Sequence, residues 1–414
     1  MSMPSTTGQA RVRFIFFTML LDAMGVGILI PVMPEIFRRF TGDATDISRY
    51  FGLFIGVYAL MQFLAAPVLG ALSDRYGRRR ILLISLLGAG LDYLIMAFAP
   101  NLTLLFIGRV ISGLTGASMT VASSYMADIS DDSNRSTNFG MIGAAWGLGF
   151  ITGPMIGGAI GSLGPTAPFI AAAVLNLANF LFGIFVLPES LPESMRRRLT
   201  LRRMNPFAAL VKILRPSPIL VLLWIYFVLF VSGQVHPVNW TLYTQLKFGW
   251  TAWEVGVSLS FVGVVFAAAQ GVLPRYVIPK LGEPRSLTIG IVLYGLAFAA
   301  YALATQGWMI YAITAAFCLS GITMPALQSI ITKGVPMNEQ GELQGSLVSL
   351  GSLASILAPF LYTELFVHFT APDAPIFFPG AAYLGAAVIC LIALGLDFLG
   401  RSSTAAASRA GSGT

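Results

Sequence analysis

Charge is what this 414-residue chain has least of. Asp, Glu, Lys and Arg make up 10% of it, against about 25% in a soluble globular domain. So few charged side chains cannot clothe a soluble surface, and 56% of the residues are hydrophobic. Each apolar run is therefore read as a membrane crossing, which takes about 20 residues. Cysteine is nearly absent: Cys318 and Cys390 both lie within apolar runs, which excludes a disulfide framework and a cysteine metal site and leaves them as packing residues. Histidine is as scarce, with only His236 and His368. Neither His–Glu–x–x–His nor Gly–x–Ser–x–Gly occurs, so an embedded hydrolase or acyltransferase lacks its nucleophile and base, and no enzyme is expected. The net charge of +7 does not mark a nucleic-acid binder, because the basic residues fall between apolar runs rather than on one solvated face.

What is present is apolar sequence in regular portions. The first run, Phe14 to Val32, holds Asp22 and Pro31 and is followed by no small-residue cleavage site, so it reads as a first crossing rather than a signal peptide. About twelve such runs follow one another, six within residues 1–187 and six within 218–400. Residues 188–217 carry Arg196, Arg197, Arg198, Arg202, Arg203, Lys212 and Arg215 and read as a soluble linker. Residues 401–414 are small and polar and are expected to be a disordered tail. Short cytoplasmic loops retain Lys and Arg. With the N-terminus inside, only Arg38, Arg39, Arg49 and Lys247 fall outside, and an even number of crossings puts both termini in the cytoplasm. The expected fold is an all-α membrane protein, twelve helices in two pseudo-symmetric halves. Gly271 to Arg285 stands in the second half where Gly70 to Arg80 stands in the first, keeping bases and a glycine but not the aspartate. Paired halves of this kind place a substrate site near the bilayer midplane, with alternating access by rocking.

The stretch Gly70 to Arg80 is charged and glycine-framed, so it must lie at a membrane surface. Gly70 and Gly77 suit a tight reversal, and Asp74 has Arg75, Arg78, Arg79 and Arg80 close by. A mere retention signal would need the arginines but neither the aspartate nor the glycines. Ionisable residues inside a membrane each call for a functional hypothesis. By the 1.5 Å rise of a helix, Asp22 lies about 14 Å and Asp92 about 18 Å from the start of its crossing, and Arg109 enters from the other side to a similar depth. The three are expected in one layer. There they form either a static ion pair or a proton site switched by conformation, since a carboxylate in a low-dielectric cavity can exchange a proton near neutral pH. In the fifth crossing, Gly149, Gly153, Gly157 and Gly158 surround Pro154. Glycines four apart let another helix approach closely, and proline bends a helix.

These residues carry a resemblance. Gly70 to Arg80 is similar to the Gly–x–Leu–small–Asp–Arg–x–Gly–Arg–Arg signature of the major facilitator superfamily. The run around Pro154 resembles the glycine–proline motif of its proton-coupled drug exporters. Leu105 to Gly113, with Arg109, resembles their fourth-span motif, with Ser112 where glutamine is common. Leu21 to Gly27 with Pro31 and Pro34 resembles the first crossing of tetracycline/proton antiporters. So do Leu91–Asp92–Tyr93, Gly233–Gln234, Phe248–Gly249–Trp250, Met324 to Gln328 and Gln340 to Gly345. The resemblance implies that Asp74, Arg78 and Asp128 form a cytoplasmic charge relay, with Gly70, Arg75 and Gly77 in the same motif. It implies that Asp22 and Asp92 handle protons with Arg109 as basic partner, and that Pro154 and its glycines form a hinge and seal. Substrate contacts are expected among Asp22, Gln62, Gln234, His236, Gln270 and Gln328. Where tetracycline antiporters commonly carry a histidine and a carboxylate, this chain has Phe266 and Tyr294, which bears on the proton path and on any metal-chelated cargo.

His236 either supplies the missing titrating group or is a hydrogen-bonded bystander. The expectation is a proton-driven antiporter in the inner (cytoplasmic) membrane, monomeric, exporting an amphipathic drug of the tetracycline type. The alternative is another drug or an endogenous metabolite. No resident cofactor or metal is expected, and a divalent cation carried with the substrate is left open.

Overall fold

The computed structural model describes residues 6–116, 118–131, 135–196, 199, 204–207, 219–335 and 340–411. Among them are 12 helical stretches long and apolar enough to cross a membrane, and no strand. In chain order the helices are α1 (Thr6–Leu29), α2 (Met33–Arg38), α3 (Ala44–Tyr76), α4 (Arg78–Ala97), α5 (Leu102–Thr115), α6 (Ser118–Asp128), α7 (Arg135–Gly161) and α8 (Ala167–Val186). They continue with α9 (Leu220–Gly233), α10 (Val235–Phe248), α11 (Ala252–Leu281), α12 (Glu283–Leu303), α13 (Gly307–Phe317), α14 (Thr323–Lys333), α15 (Gln340–His368) and α16 (Ala381–Gly411).

Three crossings are built from two helices in series. α5 gives way to α6 beside Gly116, and α9 to α10 at Gln234, three residues before Pro237. A 3₁₀ turn, Cys318–Ile322, joins α13 to α14. Proline in a first helical turn loses no hydrogen bond there but cannot extend the preceding helix. The same chemistry shortens the first crossing: α1 ends at Leu29, Pro31 interrupts, and α2 restarts with Pro34 in its first turn. At the other end α16 runs on to Gly411, where the composition suggests a disordered tail. The alanines at 405–407 are the strongest helix formers, which accounts for the extension. Of the expected linker, residues 197, 198, 200–203 and 208–217 lie outside the described residues.

The chain divides into two compact units. One comprises Met1–Pro206 with Trp250–Gly263, and the other Phe207–Gly249 with Val264–Thr414. In the first, α1 against α7 is the most extensive helix pair. Its core gathers Phe14, Ile15 and Met19 of α1, Leu82 of α4, Tyr125 and Met126 of α6, and Ala145 of α7. In the second, α16 packs along both α12 and α9.

Candidate functional site

The charged stretch of the first unit is barely a loop at all. α3 runs to Tyr76 and α4 begins at Arg78, so the chain reverses at Gly77 alone, with φ 100° and ψ 148°. That backbone favours glycine. Gly70, expected to share the reversal, is helical; its carbonyl accepts the Ser73 hydroxyl at 2.8 Å. Arg78 is the hub. Its guanidinium meets Asp74 at 2.6 Å and Asp128 at 3.1 Å, and donates to Ser73 Oγ at 2.6 Å. Ser190 Oγ donates to the same Asp128 oxygen at 2.9 Å. Glu189 Oε1 accepts from the backbone N–H of Arg78 at 2.8 Å, and from those of Ser190 at 3.0 Å and Leu191 at 3.1 Å. A carboxylate there satisfies an otherwise unpaired N–H of α4 and complements the positive end of its dipole. Arg75 is exposed and stays outside the hub, its guanidinium over the Tyr76 ring.

Deeper in the same unit, the structure brings Asp22, Asp92 and Arg109 each within electrostatic reach of Tyr58 and Tyr93, and Arg109 within reach of Asp92. They share a layer, as their depths along the helices predict. The partners differ from expectation. Ser118 Oγ of α6 donates to Asp22 Oδ2 at 2.6 Å. Asp92 is fully buried, with Oδ1 set against Gly108 of α5. Neither of its oxygens accepts a well-formed hydrogen bond, although the Ser112 hydroxyl is near. Arg109 does not bridge to it. Its Nε donates to the Phe54 carbonyl at 3.2 Å, and its guanidinium lies over the Phe54 and Tyr58 rings, 4.3 and 4.1 Å from their centroids. Of the two arrangements left open, the static Asp92–Arg109 ion pair is not formed: the arginine lies on aromatic faces, which attract cations, and the carboxylate is nearby but unpaired. Gln62 donates to the Gly116 carbonyl at 2.9 Å, pinning the break between α5 and α6.

The glycines around Pro154 are contact surfaces. On one face of α7, Gly149 backs onto Ala23 and the Leu20 carbonyl, Gly153 onto Met24 and Gly27, and Gly157 onto Ile28. On the other, Gly158 meets Ala252 and Trp253, and Pro154 meets Gly256, at the start of α11. A side chain at Gly157 would occupy the place of the Ile28 carbonyl. Pro154 sits inside an unbroken α7.

In the second unit the polar candidates separate. Gln234 donates to Ser355 Oγ, and Gln328 is exposed on α14. His236 is ringed by Trp240, Phe298, Tyr301, Phe317 and Tyr383, with centroids 5.0 to 5.7 Å away. Both its nitrogens are buried without a hydrogen-bond partner. Only Gln270 shares a recess with Phe266, Tyr294 and Met324.

A family model, Major Facilitator Superfamily, matches residues 15–359. The chain belongs to the Major Facilitator Superfamily. Tetracycline resistance protein, class C, of Escherichia coli is 40% identical over 84% of this chain and 88% of its own length. The class G protein of Vibrio anguillarum is 41% identical over 84% and 88%. In fold, the chain is similar to a bacterial homolog of the human lysosomal transporter Spinster, solved inward-facing and unoccupied. The TM-score is 0.77 at 14% identity, covering 96% of this chain and 98% of that one.

This member of the superfamily also carries site residues that motif and depth arguments pass over. Tyr58 and Tyr93 look like ordinary apolar-run tyrosines, and Ser118 like a small packing residue, until the layer is assembled around them. Glu189 and Ser190 close the turn from 111 and 62 residues away in sequence from their partners Arg78 and Asp128. Asp397, buried in α16, accepts from Thr288 Oγ1 at 2.6 Å. A lone acid in the last apolar run was its available signal.

Proposed function

We propose that this protein is a proton-coupled exporter of an amphipathic drug of the tetracycline type, working by alternating access as a monomer in the inner membrane with both termini cytoplasmic. The observation that carries the reading is Asp92, a carboxylate buried in a membrane helix with neither a bonded donor nor a cation on its oxygens. Such a group is costly as an anion. A proton taken from the outside relieves the cost, and a conformation that brings Arg109 onto the carboxylate releases it again. Asp22, held by Ser118 in the same layer, couples cargo to this exchange, because only differential binding between two states can drive a cycle. The Arg78 hub, tying the α3–α4 turn to α6 and to Glu189, serves as the conformational relay. Kinship with the tetracycline resistance proteins supports the cargo class. Phe266 and Tyr294 favour the second reading, export of another drug or an endogenous metabolite.

The test is accumulation in everted vesicles. Wild type is expected to concentrate tetracycline when a proton gradient is imposed. Asp92→Asn is expected to retain downhill counterflow but lose uphill accumulation. Undiminished accumulation by Asp92→Asn, or by wild type after the gradient is collapsed, overturns the assignment.

A further inference from the structure

The second unit holds a recess of about 50 Å³ between α9, α11, α12 and α14. That is room for one end of a molecule, well below the roughly 300–1,000 Å³ of a pocket that takes a whole drug. Its lining contains no Asp, Glu, Lys, Arg or His. An ion seated there would lose its hydration and find no counter-charge. Two hydroxyls on the wall are already committed: Ser320 Oγ donates to the Phe317 carbonyl and Thr323 Oγ1 to the Ser320 carbonyl, each at 2.6 Å. The Tyr294 hydroxyl and the Gln270 amide remain open.

Tyr294 is held in place. Its ring stacks on Phe317 at 5.2 Å and meets Phe298 edge-on at 4.7 Å. Its hydroxyl lies over Gly233, where an added Cβ would approach it to 2.6 Å. A hydrogen-bonding group fixed by packing before the ligand arrives confers specificity at small entropic cost. The half-exposed Phe266 ring and the Met324 thioether complete the recess, and both favour flat, polarisable surfaces.

We propose that this recess seats an uncharged aromatic end of the cargo, its ring against Phe266 and Met324, with a carbonyl or hydroxyl oxygen accepting from Tyr294 and hydrogen-bonding to Gln270. The inference rests on the export reading and names the chemistry that its site prefers. Phe266 and Tyr294 are then the specificity-determining residues of this half.

The test is equilibrium binding to purified full-length protein in lipid nanodiscs, using tetracycline, neutral chloramphenicol and the permanently cationic dye ethidium as probes. Tyr294→Phe removes one hydroxyl and keeps the packing, and Gln270→Leu removes the amide. Each is expected to weaken tetracycline or chloramphenicol by on the order of five-fold, the scale of one hydrogen bond, leaving ethidium binding and the melting temperature unchanged. Phe266→Ala is expected to weaken tetracycline and chloramphenicol further. Recess-dependent binding of chloramphenicol without tetracycline would refute the tetracycline assignment and uphold the recess. Wild-type affinity in both Tyr294→Phe and Gln270→Leu, ethidium as the sole ligand, or no binding of either tetracycline or chloramphenicol would overturn the recess proposal.

Discussion

Two glycine turns, one in each half, share nearly the same backbone and carry opposite charges. Gly77 joins α3 to α4 at φ 100° and ψ 148°, and Gly282 joins α11 to α12 at φ 79° and ψ 154°. After Gly77 comes Arg78, which pairs with Asp128, the last residue of α6. After Gly282 comes Glu283, which pairs at 2.6 Å with Lys333, the last residue of α14. The geometry of the repeat is preserved while the sign of the pair is reversed. Complementarity is what the fold asks for, and either polarity satisfies it. The environments differ, however. The Arg78 side chain is 10% exposed and serves Asp74, Asp128 and Ser73 together, whereas the Lys333 side chain is 68% exposed and, among the described residues, serves Glu283 alone.

Deeper in the membrane the contrast continues. The first half gathers Asp22, Asp92 and Arg109 around Tyr58 and Tyr93, whereas the second buries, among the described residues, the single acid Asp397 and a ring cluster around His236, beside a recess lined without charge. One architecture has been filled twice with different chemistry; on the reading proposed above, ion exchange belongs to the first half, and the recess of the second adds to cargo recognition.

The most damaging way to test the comparison is Arg78→Ala. It leaves Asp74 and Asp128 facing a partly buried gap without their shared cation. Breaking such a pair from one side costs about 3 kcal/mol, so a clear loss of thermal stability in detergent, together with loss of transport, is expected. A melting temperature within error of wild type would reduce the hub to a surface ornament like its counterpart.

How much of this was legible beforehand follows the range of the interactions. The turn was readable because Gly77, Asp74 and Arg78 lie within five residues, whereas Asp128 came in only through the resemblance to the superfamily. The layer of Asp22, Asp92 and Arg109 was readable because helical rise converts residue number to depth. Rise does not fix which neighbour a side chain faces, and Arg109 turned to Phe54 and Tyr58 instead of Asp92. Glu189 was hidden because nothing local shows that a residue after the sixth crossing returns to cap α4. The Glu283–Lys333 pair was hidden for another reason: a search of the second half for the first half's aspartate overlooks a pair of reversed sign.

The glycines give a sharper and smaller test. Both positive-φ positions strain any substituted side chain, by about 1–3 kcal/mol. At Gly77 a Cβ would also press into the Glu189 carboxylate, whereas at Gly282 its nearest neighbour is a ring carbon of Pro284, 4.0 Å away. Gly77→Ala is therefore expected to lower the melting temperature clearly more than Gly282→Ala. Equal shifts would show that Glu189 yields freely and contributes little to the turn.

The smallest effect is expected at the reversed pair. Lys333→Ala removes one exposed partner of Glu283, and exposed ion pairs contribute at most about 1 kcal/mol, often nothing measurable. Ser329 Oγ still donates to Glu283 after the lysine is gone, so the carboxylate is not stranded. Stability should change by less than about 0.5 kcal/mol. The double exchange Glu283→Lys with Lys333→Glu restores the pair with the polarity of the first half but sets a cation in the first turn of α12 and an anion in the last turn of α14, so it should cost about 1 kcal/mol, more than Lys333→Ala. Glu283→Lys alone sets two cations together at the end of α14 and should be the worst of the three, with the deficit shrinking as salt screens it over about 10 Å. A double exchange no better than Glu283→Lys alone would mean that the sign of this pair is set by something besides its partner, and that the two turns are alike in backbone only.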